Sequence, residues 1–209
     1  MREVKTYMLH NCFQQELMEA GVDEAGRGCF AGPVAAAAVI LRRDFHHPLL
    51  TDSKKLTAEE RNLLRPIIEN AAICWRVAMV FPEVIDRINI LQATYEAMHL
   101  AIRQLNPLPE FLNVDGKWFR PFEGIKHTCC IGGDANYANI AAASILAKTH
   151  RDAFMENLHT EYPHYNWKCN KGYGTPEHRL AMENFGLTEH HRRSFQFHPK
   201  QGEIFELAD

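Results

Sequence analysis

The sequence predicts an α/β fold, a mixed β-sheet flanked by helices with a small helical extension at the C-terminus. Three observations predict it. Short apolar runs of strand length give way to an acid or a glycine, as in Leu17 to Glu24, Phe111 to Gly116 and Ile125 to Gly132. Segments with apolar residues at helical spacing lie between and after them. Beyond Tyr162-Pro163 the composition turns polar and aromatic, which sets a C-terminal segment apart.

In chain order, Leu17 to Glu24 and Pro33 to Leu41 read as strands joined by a turn at Gly26 to Gly32. So short a connection predicts an antiparallel hairpin. Thr57-Ala58-Glu59-Glu60 is a capping box that opens a helix, and Leu63, Leu64, Ile67 and Ile68 follow at helical spacing. Ile73 to Phe81 is a further strand. Pro82 starts a helical stretch that resumes through Ile90 to Leu105 and stops at Asn106-Pro107, where proline forbids continuation. Phe111 to Gly116 and Ile125 to Ile131 are short strands. A long helix over Ala138 to His159 begins almost entirely with small residues, which permits close approach to the sheet, and Pro176 to Phe185 is the last helical segment.

A chain of 209 residues, 46% hydrophobic and 23% charged, supports one sizeable core with an appendage. The expected division is a catalytic domain over 1–160 and an extension over 161–209. No run of about 18 uncharged apolar residues predicts a membrane span. Met1-Arg2-Glu3-Val4-Lys5 lacks the apolar segment of a signal peptide. Cys12, Cys29, Cys74, Cys129, Cys130 and Cys169 show no Cys-x-x-Cys spacing, so a reduced, cytoplasmic protein is expected. With no apolar heptad to suggest a dimer, a monomer is expected. The formal net charge of −3 does not favour a polyanion. Its distribution does, because Lys168, Lys171, His178, Arg179, His190, His191, Arg192, Arg193, His198 and Lys200 gather after Trp167.

The chemistry lies in Gly21-Val22-Asp23-Glu24-Ala25-Gly26-Arg27-Gly28. Adjacent acids leaving an apolar run repel each other and lose hydration, so they call for a cation. Hard oxygen donors favour Mg²⁺ or Mn²⁺. The glycines and guanidinium that follow suit a phosphate or a sugar. Asp115 and Asp134 also sit where an apolar run meets glycine, so strand ends bring Asp23, Glu24, Asp115 and Asp134 to one edge of the sheet. Lys54 and Lys55, after a Thr-Asp-Ser turn, form a candidate phosphate-contacting loop.

These blocks resemble type 2 ribonuclease H, ribonuclease HII. Gly21 to Gly28 with Gly32-Pro33 resembles that family's opening signature. Asp52-Ser53-Lys54-Lys55-Leu56 resembles its second block and Asn113-Val114-Asp115-Gly116 its third. Gly133-Asp134-Ala135, Ile140 to Lys148 and Arg151-Asp152 resemble its fourth. Asn170-Lys171-Gly172-Tyr173-Gly174-Thr175, His178 and His191 to Phe195 resemble its C-terminal blocks, so the match runs in order over about residues 18–197. Cys29-Phe30 departs from the proline and small apolar residue usual after Gly-Arg-Gly. The resemblance implies a ribonuclease H-like fold, with Asp23, Glu24, Asp115 and Asp134 as the metal-binding catalytic set. It implies endonucleolytic cleavage of RNA hybridised or joined to DNA, including lone ribonucleotides in duplex DNA. It also implies that Gly26-Arg27-Gly28 senses the ribose 2′-hydroxyl and that Tyr173 meets the sugar at the RNA-to-DNA junction.

Two divalent ions roughly 3.5–4 Å apart suit such a site and predict 3′-hydroxyl and 5′-phosphate ends. Attack by the 2′-hydroxyl itself needs a general base, and no histidine sits in a pattern that supplies one. Two other classes compete: a phosphohydrolase of small phosphoesters shares the acids but not the Lys54-Lys55 loop or Tyr173, and a non-catalytic nucleic-acid binder has no use for the acids. Asp152 is expected to pair with a nearby base rather than bind metal.

Overall fold

The computed structural model describes residues 9–195. Met1 to Lys5, His198 and Lys200 lie outside them. Strand β1 (Glu19–Ala25) and strand β2 (Val34–Leu41) form the expected antiparallel hairpin, with Asp23 opposite Ala37. Strand β3 (Ala72–Val80) continues it antiparallel to β2. On the other side of β1 lie β4 (Phe111–Asp115) and β5 (Lys126–Cys130), both parallel to their neighbours. The result is a five-stranded mixed sheet in the order β3-β2-β1-β4-β5.

Helix α1 (Ala58–Ala71) starts at the predicted capping box: Thr57 accepts from the Glu60 N–H, and the Glu60 carboxylate accepts from the Thr57 N–H. Only Leu64 and Ile68 of its four apolar positions are buried; Leu63 and Ile67 face outward. The next helical stretch is two helices, α2 (Pro82–Ile88) and α3 (Ile90–Arg103). Asn89 between them takes φ 66°, and its side-chain oxygen accepts from the N–H groups of Leu91 and Gln92, capping the second. Helix α4 (Ala138–Glu161) is the long helix. Four short elements escape the hydrophobic pattern: 3₁₀ turns at Ser53–Lys55, Gly133–Ala135 and Pro163–Tyr165 and the four-residue α5 (Trp167–Asn170). Helix α6 (Pro176–Phe185) has the predicted bounds.

Successive strand residues point to opposite faces. Ala20, Val22, Ala36, Ala38, Leu112 and Val114 pack with α3 residues such as Ala97, Met98 and Ile102. Ala37 and Val39 pack with α1 and α4 through Leu64, Ile68, Ala141, Ala142 and Ile145. The small residues of α4 allow it to lie almost on the sheet. At Gly21 a Cβ would come within 2.2 Å of the Asn139 carbonyl carbon, so only glycine fits there. This close crossing fixes which α4 side chains meet the acidic end of β1.

Candidate active site

The parallel pairing of β1 with β4 places Val22 beside Val114, so Asp23 and Asp115 leave the sheet side by side at the same end. Alternation turns Asp23 to the α4 face and Glu24 to the α3 face, and the two acids straddle the strand end. Asp134 arrives from the 3₁₀ turn Gly133–Ala135 that follows β5. The Gly133 N–H donates to Asp115 Oδ1 at 2.7 Å, which locks Asp115 to the segment carrying Asp134.

Burial, then the charges of Glu24 and Asp115, raise the Asp23 carboxyl well above the usual carboxylate range. The Ser144 hydroxyl and the Glu24 N–H, which donates at 2.7 Å, pull the other way and do not cancel the effect. Glu24 is raised by burial despite Arg27, whose Nη1 lies 3.1 Å from Oε1. Asp134, 1% exposed, is raised by burial, with Lys54 opposing and Asp52 and Asp115 adding to the rise. Lys54 Nζ stands 3.2 Å from Asp134 Oδ2, and although burial works against its ammonium, Asp134, Asp52 and Asp23 raise it on balance. Asp115 is thus the shared neighbour of the other three acids, and Lys54 is the cation between Asp134 and Asp23.

A second buried acid shows what a satisfied carboxylate looks like here. Glu19, at the far end of β1, accepts from the N–H groups of Phe13 and Gln14 and from the side-chain amides of Asn113 and Asn139. Four donors settle that charge without a cation. Asp23 has nothing comparable. The unmet demand at Asp23, Glu24 and Asp134, and a donor set made only of carboxylate oxygens, fit a hard divalent cation. Among the described residues no three acids, histidines or cysteines already enclose a common ion position. Glu24 is drawn to Arg27 and Asp134 to Lys54 instead. The predicted ligands share a neighbourhood rather than a finished cage.

The Gly26-Arg27-Gly28 turn is held from beneath by two buried arginines that the sequence placed in no such role. Arg192 donates from Nη2 to Gly26 O at 2.7 Å, from Nη1 to Arg27 O at 2.8 Å and from Nε to Gly32 O at 3.0 Å. Arg151 donates to the carbonyls of Pro33, Ala31 and Lys171. A Cβ on Gly26, whose φ is +87°, would meet Arg151 Nε at 2.0 Å. Tyr173 reaches the same place from the C-terminal segment. Gly172 O accepts from the N–H groups of Phe30 and Ala31, and the Tyr173 ring, 42% exposed, stands beside the buried Cys29 thiol. The departure at Cys29-Phe30 is therefore absorbed locally: Phe30 packs where a Gly174 side chain would be, with the Arg179 guanidinium 4.7 Å from its ring centre.

Much of the basic C-terminal segment is engaged within the fold, although Lys168 and Arg193 stay exposed. Arg192 is spent on carbonyls, Lys171 pairs with Glu156 at 2.6 Å, and His178 and His191 are buried. The His178 Nδ1–H donates to Tyr173 O at 2.9 Å, which leaves Nε2 to accept from Trp167 Nε1–H at 3.0 Å. His191 Nδ1 accepts from the Thr188 N–H at 3.0 Å, and its Nε2 faces His178 Nε2 at 3.3 Å. Only a neutral pair satisfies this arrangement. Burial lowers both, His191 to about 3. Unfolded histidine takes up its proton near pH 6.5, so their stabilising contribution is whole above that value and lost as pH falls below it. In a pH titration followed by NMR, the ring signals of His178 and His191 stay fixed between pH 7.5 and 5. Movement of the buried pair in that range contradicts the assignment.

Asp152 pairs with Lys148 at 3.7 Å, as expected of a helix-surface acid. The six cysteines are unpaired. Lys55 lies exposed on the 3₁₀ turn beside Lys54. Ser53 and Ser144, whose hydroxyls are 2.9 Å apart beneath Lys54 and Asp23, were not singled out by the sequence; their place within the second and fourth blocks was the available signal.

The sequence matches the family model described as Ribonuclease HII over residues 20–198. A Ribonuclease HII of Porphyromonas gingivalis is 54% identical over 189 residues, 90% of this chain and 94% of that protein. One of Cytophaga hutchinsonii is 56% identical over 189 residues with the same shares. Among solved structures, the ribonuclease H2 from Pyrococcus horikoshii OT3 aligns with a TM-score of 0.74 at 26% identity, covering 86% of this chain and 94% of that one. The Archaeoglobus fulgidus RNase HII, solved as its complex with PCNA, aligns with a TM-score of 0.74 at 27% identity over 90% of this chain and 100% of that one.

Proposed function

The chain belongs to the ribonuclease HII family of endonucleolytic hydrolases of RNA in RNA/DNA hybrids, and on that premise we propose how its own site works and on what. The five-stranded mixed sheet with helices on both faces is the ribonuclease H-like fold of the solved relatives. The reading is a metal-dependent endoribonuclease that cuts hybrids and ribonucleotides embedded in duplex DNA, leaving 3′-hydroxyl and 5′-phosphate ends. One observation carries it: Asp23, Glu24, Asp115 and Asp134 meet at one end of the sheet with their charge only partly balanced by Arg27 and Lys54, beside a rigid glycine turn open to a sugar.

These four carboxylates would hold two hard divalent cations, Mg²⁺ or Mn²⁺, which would supply an activated water and neutralise the leaving oxygen. Lys54 balances Asp134 and Asp23 until substrate arrives, then has a phosphate in reach. The Gly26-Arg27-Gly28 turn, carried by Arg192, approaches the 2′-hydroxyl closely because no side chain intervenes at the glycines. Tyr173 packs on the following deoxyribose. Apart from one another, the groups acting most strongly on Asp23, Glu24 and Asp134 are Asp115, Asp52, Ser144, Arg27 and Lys54, with no histidine among them, which supports water over the 2′-hydroxyl as nucleophile.

The same reading takes 1–160 as the catalytic unit and 161–209 as an extension, whose described residues pack on it, supported by Tyr165, Trp167, Ala181 and Met182 sharing a core with Ala31, Met155 and Leu158. We place the enzyme in the cytoplasm as a monomer on its duplex. Among the described residues no helix is long and apolar enough to cross a membrane.

The test is incubation with duplex DNA carrying one ribonucleotide, with and without Mg²⁺, followed by analysis of the product ends. Cleavage only with Mg²⁺, giving 3′-hydroxyl and 5′-phosphate, supports the reading; a 2′,3′-cyclic phosphate or metal-independent cutting overturns it. Lys54→Ala and Lys55→Ala should each weaken binding to duplexes of any sequence. Each lost phosphate contact flattens the slope of log affinity against log salt by about one unit at most. Binding titrations over a salt series check this, and unchanged slopes in both variants return the loop to a merely solvated surface.

A further inference from the structure

The connection from β4 to β5 joins parallel strands without a helix. It therefore runs back over the α3 face as an irregular segment, residues 116–125, starting at Asp115. Two aromatic side chains anchor it. Phe119 sits against Tyr95, His99 and His127, with ring centres 6.4, 5.4 and 5.2 Å away. Phe122 sits 5.1 Å from the His99 ring, and His99 Nε2 hydrogen-bonds the Arg120 carbonyl at 2.8 Å. Both phenylalanines are buried. Between these anchors and Asp115 stands Trp118, 71% exposed.

A tryptophan so exposed on so well-anchored a segment is unusual, because the ring is the largest apolar group available for burial. Its surroundings indicate what covers it. Lys117 Nζ lies 5.2 Å from the ring centre, giving the exposed face a positive rim. Both residues line a groove of about 150 Å³ whose other walls include Glu24, Arg27, Asp115 and Leu91 of α3. The groove thus opens directly onto two of the acids and the guanidinium of the sugar-sensing turn. An aromatic plane with two cations beside a phosphodiester-cutting centre matches a sugar–phosphate backbone: sugars offer C–H faces to a ring, and phosphates take ammonium and guanidinium groups.

We propose that Trp118 and Lys117 form a binding platform for the backbone of the duplex next to the scissile phosphate. The ring packs on a sugar and the ammonium meets an adjoining phosphate. The platform extends the nucleic-acid contact away from Tyr173 along the groove, and it rests on the ribonuclease reading given above. Because Phe119 and Phe122 hold the segment, the ring is presented in place before substrate arrives, so binding has little left to order.

Steady-state kinetics on duplex DNA carrying one ribonucleotide test this with Trp118→Ala, Trp118→Phe and Lys117→Ala. Trp118→Ala should raise KM on the order of tenfold, the factor that corresponds to about 1.4 kcal/mol. The loss should fall on KM rather than kcat, as when an interaction equal in ground and transition states is removed. Trp118→Phe should recover part of it. Lys117→Ala should flatten the salt dependence of binding by about one unit. In metal-free protein, adding the uncut duplex should shift the long-wavelength part of the tryptophan emission, and Trp118→Phe should abolish that shift. If the parent protein cleaves the substrate and Trp118→Ala leaves KM unchanged, or lowers only kcat, the platform is wrong while the enzyme reading stands. If the parent cleaves no ribonucleotide-containing duplex, the enzyme reading falls and the platform with it.

Discussion

Asparagine in place of Asp23 abolishes cleavage and yields a folded protein that, in metal-free buffer at pH 7, melts at a higher temperature than its parent. The amide keeps the shape of the side chain and its hydrogen bond from the Glu24 N–H, but it removes a charge that burial, Glu24 and Asp115 all oppose. Electrostatic groups at a reacting centre are worth about 100- to 1000-fold each, and a charge proposed to hold the catalytic cation as well belongs at or beyond the upper end. The stability gain has a definite pH signature. A carboxyl whose folded value is raised carries its full penalty above that value and sheds it as pH falls toward the unfolded value. The advantage of Asp23→Asn is therefore present at pH 7 and gone below about pH 3, where the parent acid is protonated in both states. Mg²⁺ should raise the melting temperature of the parent and leave that of the variant largely unmoved. Asp134→Asn should lose activity in the same way, but it also deprives Lys54 of its partner, so its gain in stability is smaller. Turnover near that of the parent at saturating Mg²⁺ in either variant removes that residue from the metal set, whatever the melting curves show.

The acidic end of the sheet was legible because it combines two local signals, a strand-length apolar run and an acid pair or acid-glycine step at its end. Those signals place Asp23, Glu24, Asp115 and Asp134 at strand ends without any knowledge of packing. The capping box at Thr57 and the stops at proline were legible for the same reason, since the interactions they describe span only a few residues. What the sequence could not reveal depends on long-range burial. Arg192 reads as part of a basic run and Arg151 only as part of a block, yet each lies buried among backbone carbonyls contributed by distant turns. His178 and His191 read as part of a basic run, yet burial keeps them neutral. Leu63 and Ile67 have the spacing of a core face, but the stripe of α1 that meets α4 is narrow enough to use only Leu64 and Ile68. Trp118 shows the reverse error: a residue that composition counts toward the core stands in solvent because its neighbours Phe119 and Phe122 take the buried places.

Alanine in place of Tyr173 should lower cleavage of a lone ribonucleotide in duplex DNA by about 100-fold, the scale on which a misplacement of about 1 Å acts at a reacting centre. The argument rests on how the Gly-Tyr-Gly segment is built. Gly172 takes φ +83°, and a Cβ there would meet Ala31 O at 2.4 Å, so the segment lies flat against the residues that follow the Gly26-Arg27-Gly28 turn. Its carbonyl ties Phe30 and Ala31, the Tyr173 carbonyl is held by His178, and Asn170 O accepts from the Tyr173 N–H. The backbone is thus fixed on three sides while the ring remains partly open to solvent, which is the arrangement of a contact surface rather than of a core residue. Removing the ring leaves this frame intact and deletes only the proposed contact with the next sugar. On that proposal a deoxyribose packs there, whereas an extra hydroxyl would collide, so continuous RNA/DNA hybrid should suffer less from the alanine than the single-ribonucleotide duplex does. Phenylalanine keeps the packing and loses only the hydroxyl beside Cys29, and it should retain most of the activity. Rates for the three proteins on both substrates decide the matter. Equal losses for phenylalanine and alanine transfer the role to the phenol O–H, and no loss in either removes Tyr173 from the site.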